Sequence, residues 1–286
     1  MTMTTILRIL CIVLALVLVG LLVLLGVLLV GREPTPQPQS APTTTVQTEP
    51  VPETTTLPPP TENVFTPMDF DYEGDYLTCL TDESWLGIDV SRYQGDVDWE
   101  KVKEAGVEFA MIRVGFRGYG QSGKLMEDVK AKQNYENATA AGIKVGVYFF
   151  AQAISVEEAR EEAAYVLELI DGWQLDMPVA YDWECLAADY RTVDTDPQTV
   201  TDCAKAFCEA LEQAGYDTMI YFNPSQSRDM MYLEELVDYG FWLAMYSDQM
   251  TYEYKVDMWQ YTKEGRVPGI QGNVDINLFF PYENGV

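Results

Sequence analysis

The hydrophobic pattern divides the chain into unlike parts. From Ile9 to Val30 there is no charged residue, and Leu and Val dominate. A bilayer-spanning helix takes about 20 such residues. Pro34 to Pro67 is rich in Pro, Thr, Gln and Ser and poor in large apolar residues, so it cannot bury enough surface to fold. Beyond it, short apolar runs alternate with segments of helical period. Strands are expected at 85–90, 109–115, 144–150 and 177–184, then at 218–222, 241–246, 256–261 and 274–279. Helix signals fall mainly between the first five. Asp98 caps a segment through Trp99, Val102 and Ala105 to Gly106, and a second helix is expected around 128–141. Ser155 and Glu158 form a capping box for a helix to Ile170, and Asp196-Pro197 opens one that ends before Gly215. Repeated βα units imply a parallel sheet, and eight strands suggest closure. The fold expected is α/β, an irregular TIM-like (β/α) barrel of about five βα units plus three further strands.

This pattern sets the domain boundaries. Residues 1–8 are a short N-terminal segment, 9–30 a transmembrane anchor, 31–80 an extended stalk and 81–286 the barrel. The apolar run is long for a signal peptide, and no small-x-small cleavage site clearly follows it. Arg8 and Arg32 flank it evenly, so basic residues do not set its orientation. An extended stalk of this length would reach roughly 100 Å. The expected placement is a single-pass protein of the cell membrane, with its barrel outside in the cell wall.

Charge and composition narrow the chemistry. The chain has 45 acidic and 18 basic residues, a formal charge of −27, and no histidine. Such an excess of acid argues against nucleic acid as a partner. Without histidine, Ser-His and Cys-His nucleophiles and His-ligated zinc are excluded, so acid-base work must come from Asp, Glu, Tyr, Lys or Cys. Of the five cysteines, Cys203 and Cys208 lie too far apart on one expected helix to pair. Free thiols are the default for the rest, with a Cys79–Cys185 bridge left open. No metal or cofactor is called for, and a monomer is expected.

The candidate chemistry sits at strand ends. Met177-Pro178-Val179-Ala180-Tyr181-Asp182-Trp183-Glu184 reads as a buried strand that ends in acid. Side chains alternate along a strand, so Asp182 and Glu184 face the same side. There the ionised form of one can raise the pKa of the other. A solvated acidic loop would look the same, so context must decide. In a barrel, the functional groups gather where strands end, and acids recur there: Asp89 on the first strand and Asp275 on the eighth join Asp182 and Glu184. Tyr148, Tyr221, Tyr246, Trp259 and Gln260 occupy matching positions on other strands. Aromatic faces, amides and carboxylates together suit a sugar polymer, whose rings stack and whose hydroxyls bond.

These motifs resemble a known family. Gly87-Ile88-Asp89-Val90-Ser91-Arg92-Tyr93-Gln94-Gly95 with Asp98-Trp99, Tyr181-Asp182-Trp183-Glu184, Tyr221-Phe222-Asn223, Trp259-Gln260-Tyr261 and Val274-Asp275 are similar to glycoside hydrolase family 25, the Chalaropsis-type lysozymes or N-acetylmuramidases. The resemblance runs from about Trp85 to the C-terminus. It implies cleavage of the β-1,4 bond between N-acetylmuramic acid and N-acetylglucosamine in peptidoglycan. It also implies Glu184 as general acid, Asp182 as its partner, and Asp89 and Asp275 as supporting carboxylates. Tyr148 is followed by Phe149-Phe150 where many relatives place a histidine. With a membrane anchor, that activity would serve cell-wall remodelling, Asp182 orienting the substrate's acetamido group for attack. The alternative is a catalytically silent glycan-binding protein on the same barrel.

Overall fold

The computed structural model describes residues 57–185 and 190–281. The expected anchor at 9–30 and the stalk up to residue 56 lie outside them. Among the described residues no helix is long and apolar enough to cross a membrane.

In chain order, a hairpin of β1 (Phe70–Glu73) and β2 (Tyr76–Cys79) precedes β3 (Trp85–Val90), α1 (Trp99–Glu104) and β4 (Phe109–Arg117). Then come β5 (Leu125–Glu127), α2 (Ala131–Ala140), β6 (Lys144–Ala151), α3 (Val156–Leu169), β7 (Val179–Trp183) and α4 (Pro197–Gln213). The chain continues through β8 (Thr218–Phe222), α5 (Pro224–Asp229), β9 (Gly240–Ala244), β10 (Met258–Gly265) and β11 (Val274–Phe279). The helices start where their caps dictate: the side chains of Asp98, Ser155 and Asp196 accept from the backbone N–H of Lys101, Glu158 and Thr199. Between β8 and β9, where no helix was expected, Asn223 caps the short α5, with Pro224 in its first turn.

The main sheet runs β3-β11-β10-β9-β8-β7-β6-β4-β5, and β3 also pairs with β4, so eight strands close into a barrel. The expected parallel sheet needs one correction. β11 is antiparallel to both β10 and β3, because the connection from Gly265 to Val274 is a tight return rather than a crossover.

The barrel has two apolar compartments. The lumen is plugged by Phe109 and Phe279 with Met111, Met177, Met219 and Met258, flexible side chains that fill irregular space. The plug is tight enough to require glycine. A Cβ on Gly87 would lie 2.2 Å from the Phe109 ring, and one on Gly146 would lie 2.7 Å from the Met111 sulfur. The larger compartment lies outside the sheet, against the helices. There Tyr181 packs on Phe207 at 4.8 Å between ring centroids, and the Trp183 indole N–H donates to the Ala153 carbonyl at 2.9 Å.

The last third of the barrel is covered differently. Phe70 of the hairpin meets the Trp259 ring at 5.1 Å, Phe65 meets Phe280 at 4.9 Å, and the Leu77 N–H donates to the Tyr261 hydroxyl. The hairpin thus covers strands that lack long helices. It also corrects the stalk boundary at residue 80, since the folded body already includes Asn63, whose N–H donates to the Glu253 carbonyl. Short strands with mostly exposed side chains hid this element. Its weight is measurable: Phe70→Ala is expected to cost about 3 kcal/mol in urea unfolding of the full chain, whereas a loosely attached segment would leave the midpoint unchanged.

Candidate active site

Strand alternation decides which side chains reach the mouth of the barrel. On β3, Asp89 points inward two residues after Gly87. On β7, Asp182 does so two residues after Ala180, and Glu184 follows just past the strand end. Because β11 runs the other way, its acid must sit near the strand's start to reach the same mouth. Asp275 does, paired in register with Asp89. All four carboxyls line one cavity of about 340 Å³, together with Tyr148, Tyr221, Tyr246 and Gln260.

Two of the expected aromatic positions need revision. Trp259 does not face the cavity. It is fully buried on the outer side of β10, its indole N–H donating to the Met245 carbonyl at 2.8 Å, because alternation turns its neighbour Gln260 inward instead. Tyr246 does line the cavity, but from the segment after β9 rather than from a strand, and it is half exposed.

Hydrogen bonds fix the orientation of the inner acids. One oxygen of Asp89 accepts from the Gln260 amide at 2.8 Å and from the Asn277 amide at 2.9 Å. The Gln260 oxygen is held by the hydroxyls of Tyr221 at 3.1 Å and Tyr246 at 3.2 Å, and the Asn277 oxygen by the Trp242 indole N–H at 2.8 Å. With both amide oxygens occupied by donors, their NH₂ groups face Asp89. The Glu184 backbone is anchored as well: its carbonyl accepts from the Gln152 amide at 2.6 Å and from the Thr192 hydroxyl at 3.4 Å.

Sequence reasoning missed Asn277, Trp242, Gln152 and Arg113. Asn277 had a usable signal, a polar residue two positions after Asp275 in an otherwise apolar strand. Arg113 had one too, a charge inside the apolar run Phe109–Val114. It lines the cavity and is ion-paired to the buried Asp128 at 2.7 Å.

Burial governs the charge state. It raises the pKa of all four carboxyls and is the leading cause for each. Asp89 is pushed up to about 6, restrained by hydrogen bonds from Asn277 and Gln260. Asp275, next to that charge, rises to about 8. Asp182 rises well above the carboxylate range through burial and then through the charge of Glu184. Asp182 interacts strongly with Glu184, as does Asp89 with Asp275, and one Asp182 oxygen is buried without a hydrogen-bond partner. Adjoining buried carboxyls disfavour double ionisation, so each pair favours holding a proton above the ordinary carboxylate range. Burial raises both members of the first pair, Glu184 included, and the charge of Glu184 adds to the rise at Asp182.

A larger cleft of about 600 Å³ beside α5 contains none of these acids. Chemistry rather than size locates the site. Among the described residues, no three acidic or thiol side chains are grouped so as to hold a metal ion, and Cys79, Cys185, Cys203 and Cys208 are all free.

The chain matches the family model "Glycosyl hydrolases family 25" over residues 88–270. It is 28% identical over 194 residues to the autolytic lysozyme of Clostridium acetobutylicum, covering 68% of this chain and 55% of that protein. To lysozyme M1 of Streptomyces globisporus it is 30% identical over 209 residues, covering 68% and 67%. Among solved structures it resembles the modular autolysin LytC of Streptococcus pneumoniae, with a TM-score of 0.61 and 25% identity, covering 69% of this chain and 47% of that one. The same autolysin, at a TM-score of 0.60, 25% identity and the same coverage, has been solved in complex with a synthetic peptidoglycan ligand. The chain therefore spans about half the length of the clostridial enzyme and of LytC.

The inner pair makes a testable statement about stability. Asp89 and Asp275 reach about 6 and about 8 in the folded chain, against an ordinary 3.8. A carboxyl whose pKa rises on folding binds its proton more tightly in the native state, so its contribution is complete at acid pH and is lost as pH climbs through the folded value. The pair is expected to make thermal stability fall from about pH 4 to about pH 8. Asp275→Asn should flatten that dependence, and an unchanged slope across this window would contradict the shared proton.

Proposed function

Because this chain belongs to glycosyl hydrolase family 25, we propose that it hydrolyses peptidoglycan as an N-acetylmuramidase, cutting the β-1,4 bond between N-acetylmuramic acid and N-acetylglucosamine. The observation that carries this reading is the convergence of Asp182 and Glu184 with Asp89 and Asp275 on one cavity at the mouth of the barrel.

In the mechanism we favour, Glu184 protonates the glycosidic oxygen. It is the less buried of the two and stands past the strand end, nearer the mouth. Burial raises its pKa, which favours the protonated form an acid needs. The 2-acetamido N–H of the sugar donates to Asp182, which favours the ionised form of Asp182 and so leaves the proton of the pair on Glu184. Asp182 then orients the acetamido group, whose oxygen attacks the anomeric carbon as the leaving oxygen takes the proton. Water opens the resulting ring, with Glu184 now accepting a proton. Asp89, charged and fixed by two amides, would stabilise positive character at the reacting sugar. Tyr148, Tyr221 and Tyr246 supply faces and hydroxyls for the glycan.

The curated lysozymes and the peptidoglycan complex of LytC support the choice of polymer. We further propose that residues 9–30 hold the protein in the cell membrane, with the barrel outside in the wall, where its role is remodelling. Digestion of purified peptidoglycan by the full chain is expected to give fragments ending in reducing muramic acid. Glu184→Gln should lower the rate by about 10³-fold while leaving thermal stability near that of the parent. Intact glycan with both proteins, but retained binding, would instead favour a silent glycan-binding barrel.

A further inference from the structure

Beside the acid cavity lies a second one of about 200 Å³, and the two share Tyr93, Arg113 and Phe150 in their walls. Among the described residues it is lined by arginine and aromatic rings, with no acidic side chain in its wall. That is unexpected in a chain of net charge −27.

The two arginines differ in availability. Both guanidinium groups lie over the same rings: Arg92 is 5.1 Å from the Tyr93 centroid and 4.9 Å from that of Phe116, and Arg113 is 5.1 and 5.4 Å from them. Arg113, however, spends its Nε and Nη2 on Asp128, at 2.9 and 2.7 Å. The same Asp128 oxygen takes the Arg92 backbone N–H at 3.1 Å, so the carboxylate is saturated on that side. Among the described residues the Arg92 side chain forms no ion pair, and it donates to the Tyr93 hydroxyl at 3.3 Å. A guanidinium resting over aromatic rings is positioned in advance and loses little entropy on binding a planar anion. Phe116 and Phe150 offer apolar surface beside it.

The geometry points to this cavity as a subsite for a carboxylate carried on a short apolar arm of the glycan, with Arg92 as its ligand. The inference rests on the reading of the substrate as peptidoglycan and goes on to name the part of it that is recognised. In that polymer the muramic acid carries such an arm, a lactyl ether with one methyl and one carboxyl. Either that carboxylate or, where a peptide stem is joined to it, a carboxylate of the stem can meet Arg92.

The test is binding, so that it does not depend on turnover. Soluble glycan fragments are titrated calorimetrically into the full chain carrying Glu184→Gln, in three forms: with a free lactyl carboxylate, with that group converted to a primary amide, and with a dipeptide stem attached. Amidation is expected to weaken binding about tenfold. Adding Arg92→Gln should weaken the free-acid form to the same degree and should not weaken the amide form further. Arg92→Lys should recover only part of the loss, because a point charge lacks the fork. A dipeptide-bearing fragment that stays sensitive to Arg92→Gln makes the stem carboxylate the ligand, and one that is insensitive makes it the lactyl group. Should Arg92→Gln leave the affinity of both the free-acid and the dipeptide-bearing forms within about twofold, or act additively with amidation, the subsite is wrong. Digestion by the parent chain decides the muramidase reading separately: cleavage without this coupling removes the subsite alone, and coupling without cleavage leaves the subsite on a binding protein.

Discussion

Four carboxyls at one barrel mouth cannot all be charged, and much of the site follows from that constraint. In a buried, poorly solvated site, neighbouring carboxylates would repel strongly. Cations offset part of this: Arg113, itself committed to Asp128, and Lys263 line the same cavity, and their charges lower the pKa of Asp182 and Asp275 in turn. Burial still prevails, so both pairs favour holding a proton. The pairs do so in different settings. Asp89 is fixed by two amides that favour its charge, which leaves Asp275 as the proton carrier. Among the described residues, the side chains of Asp182 and Glu184 have no amide donors of that kind.

The irregular closure of the barrel makes this pairing possible. Were β11 parallel to its neighbours, a residue opposite Asp89 would lie near its C-terminal end, and the strand would have to enter from the far side of the barrel. Running antiparallel, it delivers Asp275 opposite Asp89 and turns Asn277 to the same face. The consequence is a run of strands without long helices outside them, and the hairpin of β1 and β2 covers it through Phe70 and Leu77. The site and the N-terminal hairpin therefore answer the same topological departure.

Most of the barrel was legible because its strands are buried on both faces and read as apolar runs between caps. Trp85–Val90, Lys144–Ala151, Thr218–Phe222 and Val274–Phe279 lie where the pattern puts them, to within a residue. Direction was not legible: a strand's residues look alike whichever way it runs, so the antiparallel β11 had no signature. The hairpin was hidden because only one residue of β1 is buried. At the site, the four acids converge as the strand-end rule anticipates, but period two has an ambiguity that single residues do not resolve. Either Trp259 or Gln260 could face inward, and only the register of β10 against β9 decides for Gln260.

Proton placement was the least legible property, and it shows where sequence reasoning stops. Spacing says that Asp182 and Glu184 share a face, and simple electrostatics says that one should be protonated, but the choice between them depends on depth. Asp182 lies within the strand and is buried more deeply, so desolvation penalises its charge most. Glu184, just past the strand end, is partly exposed and can better support a charge while its partner is neutral. The order of these two residues along β7 thus places one carboxyl within the strand and its partner just past it, so that two acids facing one cavity sit in unequal solvent.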